Sequence, residues 1–173
     1  WRWFSTELEL VHLLRGLAIV ADGLIGLALF VPLRRWLGRA TAFSFVVLYP
    51  LVPIPAQALT AANLTNVYGQ GVFGLAMAVV LWMAVAGRAT LISVTTLTGL
   101  LTLALLSHFS TASVGIPMTA AVVLLVLVAG GRPDRRVGLW IGGALVAATA
   151  VAYLAYYAHF HDTYQTTFAR IVA

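Results

Sequence analysis

The side chains that could do chemistry in this sequence are few and far apart. Near its start, Glu9, His12, Arg15 and Asp22 share one arc of a helix, about 140° wide at 100° per residue. Arg15 and Asp22 are seven residues apart, so they are nearly aligned and about 10 Å apart along the axis. Arg15 offers a planar guanidinium that suits a phosphate; its plainer role is to snorkel outward or pair with Glu9. Asp22 is either a binding or proton-relay group, or a neutral, hydrogen-bonded lock between two helices. Asn63, Asn66 and Gln70 lie in a connection rich in Pro, Thr and Gly. They could bind a polar ligand, and Asn63 and Asn66 could equally cap the next helix. The turn LLSHFSTAS gathers Ser107, His108, Ser110, Thr111 and Ser113. A Ser/His pair begins a nucleophilic site, yet no G-x-S-x-G elbow or assigned acid accompanies it. The run YYAHFHDTYQTTF carries His159, His161 and Asp162. Imidazole with carboxylate suits a divalent metal such as zinc or manganese. His159 and His161 diverge on a helix, so a metal site would need His108 to meet them. The plainer reading is an interfacial belt of aromatics and histidines.

The elements that position these groups follow from composition. Of 173 residues, 62% are hydrophobic and 9% charged, with mean hydropathy +1.00. A soluble domain is about half apolar and about a quarter charged. Those values exclude a water-soluble globule, a disordered chain, a coiled coil and a nucleic-acid-binding domain. The chain has no cysteine, which removes disulfides, thiol nucleophiles and Cys-ligated metals. A bilayer core of about 30 Å needs about 20 apolar residues in a helix. Roughly residues 10–33, 40–55, 67–87, 89–107, 114–130 and 137–158 qualify or come close. The expected fold is therefore an all-α polytopic transmembrane bundle of about six segments, a single domain over residues 1–173. The second segment carries Pro50, Pro53 and Pro55 and should end early. Small residues recur four apart in the last segment, as Ala144, Ala148 and Ala152 and again as Gly143 and Ala147. Such spacing predicts close helix packing.

Arginine sets the expected orientation. The chain has ten arginines and no lysine, a balance that fits a GC-rich bacterial genome. Arg34, Arg35 and Arg39 join segments one and two, Arg88 joins three and four, and Arg132, Arg135 and Arg136 join five and six. Connections 56–66 and 108–113 carry none. By the positive-inside rule, the arginine turns face the cytoplasm, and both ends and the histidines face outward. The expected location is a bacterial inner membrane. The sequence opens on Trp1 and closes within TTFARIVA, with Glu7 and Glu9 where a cationic leader would stand. It reads as a piece of a longer polytopic protein, whose remainder is one of its partners, with the lipid bilayer as another and nucleic acid as none.

Three features resemble the back half of a bacterial membrane glycosyltransferase of the GT-C superfamily. One is a helix with a mid-membrane acid running into an arginine turn, AIVADGLIGLALFVPLRRWLGR. The second is LYPLVP followed by a polar outer loop and re-entry at NVYGQG. The third is SHFSTAS paired with YYAHFHDTY. The resemblance implies transfer of sugar from a polyprenyl-phosphate donor at the outer face. It also implies a catalytic carboxylate in an outer loop that precedes this stretch. Arg15 would then contact the phosphate, and His108, His159 and Asp162 would contact sugar or metal. Two other readings stand beside it. One is a secondary transporter with a midplane site at Asp22. The other is a non-catalytic membrane subunit whose Gly and Ala faces pack on a partner.

Overall fold

The computed structural model describes residues 7–48, 64–107 and 109–160. Six α-helices and one 3₁₀ turn account for nearly all of them: α1 (Glu7–Leu37), α2 (Arg39–Leu48), α3 (Leu64–Ala86), α4 (Leu91–Ser107), α5 (Phe109–Ala129), α6 (Arg132–Ala155), then the 3₁₀ turn Tyr157–Phe160. Three stretches, Val67–Ala86, Thr111–Val128 and Asp134–Ala155, are long and apolar enough to cross a membrane. The six expected segments thus appear as helices, with ends shifted by a few residues. α2 is described over Arg39–Leu48, and the three prolines expected to end that segment lie outside the described residues. α1 is longer than expected, at 31 residues, and continues through Pro32.

Punctuation in the sequence explains the helix ends. Gly38 and Gly87 take φ of +88° and +61°, backbone that glycine adopts without strain. They close α1 and α3, with Gly38 N–H donating to the Arg34 carbonyl and Gly87 N–H to that of Ala84. α4 opens with a reciprocal cap: Thr90 Oγ1 accepts from Ser93 N–H at 3.1 Å, and Ser93 Oγ accepts from Thr90 N–H at 2.9 Å. Asp134 caps α6 in the same sense, its carboxylate accepting from Gly131 N–H at 3.0 Å. Asp134 sits third in that helix, where a carboxylate both caps and complements the helix dipole.

α3 to α6 form the core. α3 packs on α4, α4 on α6, and α6 on α5. The buried cluster joins Met83, Leu97, Leu101, Leu105, Ile141 and the alanines of α6. On α4 the buried positions are Leu97, Leu101, Ala104 and Leu105, one stripe of a 3.6-residue period. Outside the core, α1 runs parallel to α3. Ile25 presses on Gly74, and the Arg35 guanidinium lies 4.5 Å from the centre of the Trp82 ring. α2 folds back on α1, with Val46 against Gly26.

The outer surface inverts the pattern of a soluble protein. Buried positions of α6 are mostly Gly, Ala and Val, whereas Leu139, Trp140, Val146 and Leu154 are exposed. Water would penalise that arrangement, because apolar area belongs away from it. Lipid accepts it, and there helices associate through close packing of small residues.

Candidate functional site

The bundle has two chemically different ends. The Arg35–Trp82 contact puts the foot of α1 beside the foot of α3. A shared cavity brings residues 87–89 against residues 135–137 and Trp140. The three arginine-bearing turns therefore sit at one end of the bundle. At the other end the ends of α4 and α6 meet, tied by Tyr157, whose hydroxyl donates to the Leu105 carbonyl at 2.8 Å.

That second end holds the hydroxyl-rich site. The first turns of α3 supply Gly69 and Gln70, the end of α4 supplies Ser107, and the start of α5 supplies Thr111 and Ser113. Gly69 is what lets α3 approach Ser107 and Thr111. A Cβ there would overlap Ser107 Oγ and stand 2.6 Å from Thr111 Oγ1. Ser107 Oγ donates back to the Ala104 carbonyl at 2.6 Å. Thr111 is 5% exposed, and its hydroxyl has no hydrogen-bond partner among the described residues. A buried hydroxyl without a partner costs about 1–3 kcal/mol. Thr98, Thr102 and Thr119 avoid this cost by donating to the carbonyl one turn back, those of Val94, Thr98 and Gly115.

Of the residues picked from sequence, Gln70 follows Gly69 on α3 and is exposed. Asn66 lies in the first turn of α3 and His159 in the 3₁₀ turn, so both belong to elements at this end; their side chains are outside the described residues. Arg15 and Asp22 are part of α1, with side chains likewise outside. Asn63, His108, His161 and Asp162 lie wholly outside. The expected meeting of His108 with His159 or His161 at a metal lies outside the described residues. Among the described residues no three His, Cys, Asp or Glu side chains gather to hold a metal ion.

Two features were not read from the sequence. The first is the pairing of Gly69 with Ser107 and Thr111. Gly69 stands within NVYGQG and the hydroxyls within SHFSTAS, but nothing in the sequence links the two. The second is an apolar groove of about 300 Å³ between α1 and α3, lined by Ala28, Val31, Pro32, Leu75, Ala78 and Trp82 among others. Pro32 offers no N–H to the carbonyl of Ala28, so α1 lacks one internal bond along this groove. No protein-family model, curated protein or solved structure matches the chain.

Proposed function

We propose that this chain is the membrane-embedded part of a polytopic glycosyltransferase that takes sugar from a polyprenyl-phosphate donor. Its arginine end would lie on the cytoplasmic side and its hydroxyl-rich end on the outer side, in a bacterial inner membrane. The observation that carries the reading is the segregation of the two ends. Arg34, Arg35, Arg88, Arg135 and Arg136 belong to turns at one end; at the other, Gly69, Ser107 and Thr111 meet and Tyr157 bonds the Leu105 carbonyl. The partnerless Thr111 hydroxyl supports a polar ligand there, because a sugar hydroxyl would supply the missing hydrogen bond. On this reading Arg15 holds the donor phosphate, and Asn66, Gln70, His108 and Asp162 line the sugar site. The catalytic carboxylate comes from chain outside this stretch.

The test has two arms on the full-length protein. The chain has no cysteine of its own, so single cysteines report cleanly. In intact cells an impermeant maleimide should label Tyr156→Cys at once and Thr90→Cys only after permeabilisation. The opposite order overturns the orientation. In proteoliposomes with a radiolabelled polyprenyl-phosphate sugar, Arg15→Gln and His108→Ala should lower transfer at least tenfold without lowering the melting temperature. Absence of transfer by the wild type, together with solute counterflow lost in Asp22→Asn, would replace this reading with a transporter.

A further inference from the structure

The arginine end carries a cavity that the outer-face reading does not use. It has a volume of about 660 Å³, within the range of roughly 300–1,000 Å³ usual for small-ligand sites. Residues 87–89 form one wall, and residues 135–137 with Trp140 form the other. Of the lining residues Val137 is buried, whereas Arg88, Arg135, Arg136 and Trp140 are exposed. The bend at Gly87 brings Arg88 across from the first turns of α6.

We propose that this cavity binds a phosphate-bearing anion, the phosphodiester of an anionic lipid, through Arg88, Arg135 and Arg136. Charge is the first argument. Arg34, Arg35, Arg39, Arg88, Arg132, Arg135 and Arg136 all fall in the turns at this end, and of the sequence's five acids only Asp134 does. The Asp134 carboxylate already accepts from Gly131 N–H. Among the described residues, none of the three cavity arginines has a carboxylate partner. Geometry is the second argument. The guanidinium groups come from two separate turns and border one concave space, so a single anion can meet more than one of them; arginine forks fit phosphate oxygens in pairs. Surroundings are the third. Beside the cavity, exposed Leu139 and Trp140 begin an apolar face that continues to Val146. A headgroup held by the arginines would thus have a path for its chains along α6. Basic pockets between membrane helices bind lipid headgroups in this manner.

A free phosphate ion has the same chemistry, and the test separates the two sources. The full-length protein is purified and placed in nanodiscs of equimolar phosphatidylglycerol and phosphatidylcholine, and retained lipid is then counted after delipidation. Phosphatidylglycerol should be enriched. Arg88→Gln, Arg135→Gln and Arg136→Gln should each weaken retention about fivefold, as expected for one arginine near an anionic headgroup. Arg34→Gln with Arg39→Gln removes charge at the same end but outside the cavity and should leave retention unchanged. In discs of phosphatidylcholine alone, inorganic phosphate is added and Trp140 emission is read by difference from Trp140→Phe. A response there assigns the site to free phosphate, and enrichment without that response assigns it to lipid. The wild type should also melt at higher temperature in phosphatidylglycerol than in phosphatidylcholine, a comparison that needs no variant. The proposal falls if neither anion binds, or if the Arg34/Arg39 pair matters as much as the cavity arginines.

Discussion

Gly69 shows how one residue sets the hydroxyl-rich end. With a hydrogen for a side chain, it lets α3 approach Ser107 and Thr111 closely enough that a methyl would collide. Gly69→Ala should therefore lower stability by about 1–3 kcal/mol, the usual cost of overpacking, read as a fall in melting temperature in detergent. Ser107→Ala on that background should recover part of the loss, because the two sites are in contact. Gly143→Ala is the control, since nothing lies within 4 Å of its added Cβ; helix propensity alone predicts no loss, and a gain of up to about 1 kcal/mol. Thr111→Val carries a separate prediction. It exchanges a buried hydroxyl lacking a partner for a methyl of the same shape, so stability should hold or rise by about 1 kcal/mol, while binding of a polar ligand at this end should weaken. A fall in stability would mean that the hydroxyl is already bonded. The sequence displayed the glycine and the hydroxyl turn as separate features. Their meeting depends on how α3 and α4 pack, which neither segment encodes alone.

Among the elements, α6 best separates what could be read from what could not. Its small residues form two rows with the same four-residue spacing, and spacing predicts close packing for both. The structure buries Ala144, Ala148 and Ala152 against the core and leaves Gly143 and Ala147 exposed. The difference lies in the neighbours. Ile141 and Leu145 flank the first row and are buried with it, so the row belongs to a wider apolar stripe facing α4 and α5. Ala148→Leu should cost about 1–3 kcal/mol by overpacking, whereas Ala147→Leu should change the melting temperature little. Equal effects would show that both faces are packed in the protein as it stands in the membrane. Helix positions were legible because long apolar runs leave few alternatives. The parallel pairing of α1 with α3 was not, since it is fixed by local fits such as Ile25 on Gly74 and Arg35 on Trp82. The Asp134 cap is a local fit of the same kind: its carboxylate accepts from Gly131 N–H, just ahead of its own helix.

For the molecule as a whole, the surface is the strongest clue to its surroundings. Val146 lies near the middle of the Asp134–Ala155 stretch and is 70% exposed. In water, a charge at such an exposed site would change stability by about 0.5 kcal/mol or less. At the centre of a bilayer the same charge costs about 2.5–3.5 kcal/mol. Val146→Arg should therefore depress membrane insertion and yield sharply, measured as the inserted fraction in a translocation assay. Leu139→Arg is also on the exposed face, but it stands one helical turn from Arg135 and Arg136. Its guanidinium can reach the interface by snorkelling, so its penalty should be much smaller. The ratio of the two effects is a depth gauge that depends on neither activity nor ligand. A steep difference places the apolar face of α6 in lipid with the arginine turns at the interface. Equal and negligible effects would instead require that face to meet water, and the transmembrane reading of the bundle would have to be given up.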